Sequence, residues 1–168
     1  MHKFIPMILL TLMSAAAYAI DEGVVAPPFS AKNQDGKTIN LSDYAGKDVL
    51  LYFYPKDETP GCTKEACEFR DKYAEFKKQG AVVLGISAQD EKSHQKFAEH
   101  HHLPFDLLAD PNGKIAQAYG VGKIPVLGLF KRESVLIGKD GHVLKFYSDV
   151  DPQKHAAQAL KDMKDLEK

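Results

Sequence analysis

Apolar residues fall along this chain in runs and stripes of two different periods. Residues 49–54 (VLLYFY) are apolar without interruption and rich in β-branched and aromatic types, the pattern of a strand buried on both faces. Residues 81–87 (AVVLGIS) repeat the pattern, and 105–109 predict a third, shorter strand. Between the first two, Cys62, Ala66, Phe69, Tyr73 and Phe76 recur at steps of four and three, which predicts one buried face of a helix over 62–79. Gly80 ends it. Asp90 caps a predicted helix running to about His101. A short helix follows over 114–119, then a loop over 120–131. Two hairpins are predicted, 29–31 with 37–40 around Asn33-Gln34-Asp35-Gly36, and 134–137 with 143–147 around 138–141. Asp151-Pro152 predicts the start of a final helix. Strands that alternate with helices and close in a hairpin give an α/β class with a mixed central sheet flanked by helices.

Composition narrows the class further. A chain of 168 residues, 44% apolar and 27% charged, suits one domain with one core. A net charge of -1 with no run of like charge argues against nucleic acid or a polybasic membrane contact. Of the 22 basic residues only Arg70 and Arg132 are arginine, which marks both as places where a planar, permanent charge matters. The N-terminus reads as an export signal over residues 1–19: a short basic start, an apolar stretch over 4–13, and the small-x-small site Ala17-Tyr18-Ala19. The stretch is shorter than the roughly 20 residues of a membrane span. The expected product is a folded domain over 20–168, exported and periplasmic, with no stable membrane insertion after cleavage. The competing reading is an uncleaved anchor helix.

The candidate chemistry lies in YFYPKDETPGCTKEAC, residues 52–67, where a buried strand ends, a tight loop follows and Cys62 opens a helix. A thiol at a helix start sits against unpaired backbone N–H groups and the positive end of the dipole, both of which favour the nucleophilic thiolate. Thr59, three residues earlier, brings a hydroxyl within reach of the sulfur or of a substrate. Pro55 lacks an N–H and can wall the pocket against water. In a regular helix, residues five apart have Cα atoms about 8.7 Å apart, whereas a disulfide needs about 6.8 Å or less. Cys62 and Cys67 therefore bond only if the helix start unwinds, which suits a transient bridge better than a structural one.

The run Pro55-x-x-x-Thr59-x-x-Cys62 matches the peroxiredoxin signature, and YFYPKDETPGCTKEACEFRD, residues 52–71, resembles the bacterioferritin-comigratory or Q-type branch. The resemblance extends from about Gly23 to the C-terminus. It implies a thioredoxin-like fold and a thiol-dependent peroxidase that reduces hydrogen peroxide and organic hydroperoxides in antioxidant defence. It also implies roles: Cys62 as peroxidatic cysteine, Thr59 orienting peroxide, Pro55 shielding the pocket, Arg132 pairing with thiolate and peroxide oxygens, and Cys67 as resolving cysteine. Recycling would use a thioredoxin-like dithiol protein, with no metal or organic cofactor, and the protein would be a monomer. The chain departs from the pattern in its export signal, in Gly138 after the strand where an Asp is usual, and in the apolar stretch 127–130 before Arg132.

Two other functions fit the same residues less well. A general thiol-disulfide oxidoreductase would carry Cys-x-x-Cys and would need neither Thr59 nor Arg132. A metal carrier would use the cysteines with His100, His101 and His102. Successive helix residues point about 100° apart, so three in a row do not converge on one ion; they suit a helix C-terminus. Glu65 and Arg70 lie inside the motif without an assigned step.

Overall fold

The computed structural model describes residues 19–166. The export signal read over 1–19 lies outside the described residues except for Ala19. Among those residues, no helix is long and apolar enough to cross a membrane.

The strands are β1 (Ser30–Asn33), β2 (Thr38–Asn40), β3 (Val49–Phe53), β4 (Val82–Ser87), β5 (Asp106–Ala109), β6 (Glu133–Ile137) and β7 (Val143–Tyr147). They form one sheet in the order β2-β1-β5-β4-β3-β6-β7. Its centre, β5-β4-β3, is parallel, and antiparallel hairpins extend both edges. The helices are α1 (Pro60–Asp71), α2 (Tyr73–Lys78), α3 (Glu91–His101), α4 (Lys114–Ala118) and α5 (His155–Leu166). Successive residues of β3 supply the two faces of the sheet. Leu50 and Tyr52, with Tyr54 beyond the strand, pack with Cys62, Ala66, Phe69, Phe76, Phe97 and Ala159 of the helices. Val49, Leu51 and Phe53 pack with Ile115, Ala116 and Phe130. The uninterrupted apolar run is thus the mark of a strand covered on both sides.

Local chemistry fixes most boundaries where the sequence predicts them. Both hairpins form, and the Asn33 side chain closes the first by accepting from the N–H groups of Asp35 and Lys37. Asp90 caps α3 by accepting from Ser93 N–H at 2.8 Å. Three boundaries differ. The helix that carries Cys62 begins two residues earlier, with Pro60 in its first turn, where a missing N–H costs nothing. It does not run on to 79: Lys72 (φ −100°, ψ 4°) separates α1 from α2. No Gly or Pro marks that break, so periodicity alone reads through it. Asp151 does not cap α5. Its carboxylate accepts from Gln153 N–H in a turn that precedes a helix starting at His155.

The register of the sheet builds the functional end of the molecule. β6 runs antiparallel to β3 with Glu133 opposite Phe53. Arg132 therefore emerges at the same edge where β3 hands the chain to the loop 54–59 and α1. On the other side of β3, Tyr52 lies opposite Gly85 of β4, which in turn faces Leu107 of β5. A Cβ on Gly85 would come within 2.7 Å of Leu107 Cδ2 and 2.8 Å of the Tyr52 ring, which stacks on Phe69 of α1 at 4.7 Å. Gly85→Ala is expected to lower the unfolding free energy by about 1–3 kcal/mol through overpacking. Urea denaturation measures it, and an unchanged midpoint would show that the ring and Leu107 move apart freely.

Candidate active site

Cys62 is the third residue of α1 and is 1% exposed. The first helical bond runs from Thr63 N–H to Thr59 C=O, so the N–H groups of Gly61 and Cys62 point out of the helix start. Arg132 reaches the sulfur from the β6 edge, its Nη2 donating to Cys62 Sγ at 3.3 Å. Gly61 makes room for this approach: a Cβ there would lie 3.1 Å from Arg132 Nη2. The pairing of Cys62 with Arg132, 70 residues apart in sequence, follows from the register of β6 on β3.

The guanidinium is not held by Cys62 alone. Its Nη1 donates to Glu65 Oε2 in a very short contact, and Glu65 Oε1 lies 2.8 Å from His155 Nδ1. Glu65 and His155 side chains are fully buried, and Arg132 is 18% exposed. Burial alone would lower the affinity of Arg132 for its proton, but the charges of Glu65 and Cys62 outweigh it and raise the pKa further above its ordinary value. The result is a buried row, His155–Glu65–Arg132–Cys62, that joins α5, α1 and the start of β6. Phe69 and Tyr147 hold the His155 ring edge-to-face at 5.1 and 5.5 Å. The sequence carried one signal for Glu65: a carboxylate three residues after Cys62, on the otherwise apolar stripe of the helix. It carried none for His155, whose place depends on α5 packing against α1.

The remaining motif residues are distributed as follows. Pro55 opens the loop after β3 and is partly buried. Thr59 occupies the cap position of α1, but its hydroxyl donates to Lys56 C=O at 2.7 Å and not to the sulfur. Its proton is committed, and its oxygen is left as an acceptor. Cys67 is half-buried in the same unbroken helix as Cys62, and both thiols are free. Arg70 sits one turn beyond, donating from Nη1 to His101 C=O and from Nε to Asp71. The apolar stretch at the rim divides: Val126 and Leu127 are exposed, whereas Phe130 is buried against Phe53.

A second polar cluster fixes the loop itself. The Asp57 carboxylate accepts from Tyr54 Oη and Ser93 Oγ, each at 2.6 Å, and lies 2.8 Å from His94 Nδ1. His94 Nε2 faces Leu108 C=O at 3.2 Å. Asp57 N–H donates to the Gln89 side chain. These bonds tie the loop to the first turn of α3 and the end of β4; sequence reasoning placed Tyr54 in the buried run 49–54 and gave no role to Asp57, Gln89, Ser93 or His94.

The chain is similar to known proteins over most of its length. The AhpC/TSA family model matches residues 23–146. The chloroplastic peroxiredoxin Q of Triticum aestivum is 46% identical over 148 residues, which cover 88% of this chain and 68% of that protein. Peroxiredoxin Bcp of Bacillus subtilis (strain 168) is 43% identical over 153 residues, 88% of this chain and 97% of that one. The crystal structure of the peroxidoxin BcpB from Mycobacterium tuberculosis superposes with a TM-score of 0.79 at 35% identity, over 86% of this chain and 96% of that one. The mixed seven-stranded sheet with its helices is the thioredoxin-like α/β fold.

Burial alone would raise the pKa of Asp57, but hydrogen bonds from His94, Ser93 and Tyr54 outweigh it and hold the carboxyl below its ordinary value of 3.8. A depressed carboxyl stabilises the fold above the unfolded-state pKa, and that contribution is lost as pH falls through the folded-state value. Asp57→Asn is therefore expected to be less stable than the parent at neutral pH, with the gap narrowing below about pH 4. Urea unfolding across that range checks it, and a gap independent of pH would remove the charge of Asp57 from the account.

Proposed function

The chain belongs to the AhpC/TSA family, in its peroxiredoxin Q/Bcp branch, and is a thiol-dependent peroxidase; from that premise we propose that Cys62 is the peroxidatic cysteine and Cys67 the resolving one. The observation that carries this reading is the Arg132 guanidinium donating to a buried sulfur at the first turn of α1. Cys62 thiolate attacks the terminal oxygen of a hydroperoxide, the O–O bond breaks, and the sulfur becomes a sulfenic acid. The departing oxygen takes a proton and leaves as water or alcohol. Thr59 accepts the hydrogen bond that the peroxide O–H gives, which fixes which oxygen faces the sulfur. Arg132 and the Cys62 N–H donate to the oxygen on which charge develops. Pro55 closes the pocket wall.

Cys67 thiol then condenses with the sulfenic acid, forming the disulfide and releasing water. The anchors on α1 argue that Cys62 makes the journey. Glu65 is held by Arg132 and His155, Glu68 accepts from Ala156 N–H, and Arg70 is held by His101. These lie on both sides of Cys67. Between Glu58, which is held by His100 and His101, and Glu65, the side-chain bond to another element is the Arg132 contact with the sulfur, so Thr59 to Lys64 is the part that peels away. A thioredoxin-like dithiol protein reduces the bridge by exchange. The general disulfide oxidoreductase is disfavoured by the relatives named above, which are peroxiredoxins. Export to the periplasm is supported by the apolar stretch over 4–13 and by Ala17-Tyr18-Ala19, and the protein acts as a monomer. Mass spectrometry of the secreted chain, finding a start near Ile20, is the test of export.

Cys67→Ser is expected to undergo the first oxidation at the parent rate and then to lose turnover with a dithiol reductant. Multi-turnover peroxide consumption equal to the parent's would rule out the resolving role. Arg132→Lys keeps the charge but loses the fork, and should slow oxidation of Cys62 by roughly tenfold or more. Gly61→Ala, which crowds Nη2, should slow it in the same direction without loss of stability, since Ala favours the helix over Gly by up to about 1 kcal/mol. Stopped-flow oxidation by hydrogen peroxide reads both variants, and parent-like rates would take the guanidinium out of the chemistry.

A further inference from the structure

One polar cluster is left unused by the proposed cycle, although it begins at the residue before Thr59. Glu58 has φ +60°, a left-handed backbone that non-glycine residues adopt only under constraint. Its carboxylate spans the last turn of α3. Oε1 lies 3.1 Å from His100 Nδ1, and Oε2 lies 3.0 Å from His101 Nε2. The donor atoms of all three residues lie within 4.8 Å of one another. Neighbouring helix residues diverge by about 100°, but His100 presents its near ring nitrogen and His101 its far one. The difference in reach brings both to one carboxylate, with ring centroids 4.4 Å apart. The group is also partly preset. His101 packs edge-to-face on buried Phe97 at 5.1 Å, and its carbonyl is held by Arg70.

We propose that Glu58, His100 and His101 bind a divalent cation of the zinc class, and that the bound ion clamps the active-site loop to α3. Two imidazoles and one carboxylate are the donor set of three-ligand zinc sites that keep a fourth position for water. Zinc bonds of about 2.0–2.2 Å in a tetrahedron put neighbouring donor atoms about 3.3–3.5 Å apart; here each ring nitrogen lies 3.0–3.1 Å from a different oxygen of the carboxylate, and one donor atom from each residue falls within 4.8 Å of the others. The ion takes the lone pairs of His100 Nδ1 and His101 Nε2, so in the bound form each ring carries its proton on the other nitrogen. His102, the left-handed residue that ends α3, stands outside the group.

The consequence for the enzyme rests on the reading of Cys67 as resolving cysteine. Glu58 is the upstream boundary of the stretch that must peel from the helix start before the disulfide closes. An ion that ties it to α3 slows closure and leaves the first oxidation step with its geometry. A metal with this effect would prolong the sulfenic acid.

The test uses the full chain with both thiols replaced, Cys62→Ser/Cys67→Ser, so that sulfur contributes no ligand. Calorimetric titration with zinc chloride is expected to give one saturable site per chain, weakened at least tenfold by adding Glu58→Gln or His100→Ala. Absence of saturable binding, or binding indifferent to both changes, overturns the site. Hydrogen exchange on the same thiol-free protein is expected to slow at the amides of Thr59 to Lys64 when zinc is added, and not in Glu58→Gln. Exchange that zinc leaves unaltered overturns the clamp. In the wild type, zinc should slow disulfide closure several-fold relative to Glu58→Gln, followed by rapid alkylation and mass spectrometry. If no bridge forms even without zinc, the resolving reading fails, while the binding and exchange results still decide the metal site.

Discussion

A carboxylate with no access to water must be paired, and in this protein that requirement organises the whole functional end. Glu65 is fully buried on the sheet-facing side of α1. One of its oxygens takes Arg132 and the other takes His155. Removing one partner of such a pair typically costs about 3–5 kcal/mol, because the remaining charge has no compensation. The row can be satisfied only when α1, α5 and the start of β6 stand in their native places. Once it is satisfied, the second guanidinium nitrogen has one direction left, toward Cys62 Sγ. The charge that serves the thiol is therefore positioned by a structural ion pair and not by the thiol itself. This keeps the donor in place while the sulfur changes oxidation state.

The same arrangement separates rigid from movable parts of one helix. From Glu65 onward, α1 is fastened to β6, α5 and the end of α3 by side-chain bonds and by Ala66 and Phe69 in the core. Upstream, the loop is fastened to α3 at Asp57 and Glu58. Between these points lie Thr59 to Lys64, with Pro60 and Gly61 the poorest helix formers of the stretch. Residues that start the helix well in one sense, by fitting its first turn, also make that turn cheap to open. The unbroken helix holds the two sulfurs too far apart to bond; in the proposed cycle Cys62 therefore stays available for peroxide until local unwinding commits it to Cys67.

How much of this could be read beforehand differs by kind of information. The buried strands were plain in runs such as VLLYFY, and the hairpins in their Asn, Asp and Gly turns, because both are written in contiguous residues. The helix start with Cys62, Thr59 and Pro55 was legible for the same reason. Arg132 stood out by scarcity and by its place before β6. The break at Lys72 was not legible, since nothing in its side chain forbids a helix. Nor was Gly61's role, because its lack of a side chain matters only when a guanidinium from 71 residues away passes over it. His155 and the bonds of Asp57 to Ser93 and His94 depend on packing between elements distant in sequence, and such pairings leave no local trace.

Thr59 shows why atomic roles need geometry even where a motif is unmistakable. The sequence puts a hydroxyl near the sulfur and suggests a donor to either sulfur or substrate. The Lys56 carbonyl takes that proton, and a carbonyl can only accept. The peroxide oxygen that the sulfur attacks carries an O–H, and it needs an acceptor; the departing oxygen gathers negative charge, and it needs donors. In the proposed cycle Thr59, with its proton engaged, serves the first need and is unable to serve the second. The second then falls to Arg132 and to the free N–H at the helix start, both fixed before substrate arrives. The tight turn from Lys56 to Thr59 thus does two things with one hydrogen bond: it shapes the loop that Asp57 and Glu58 anchor, and it sets the polarity with which the site meets the O–O bond.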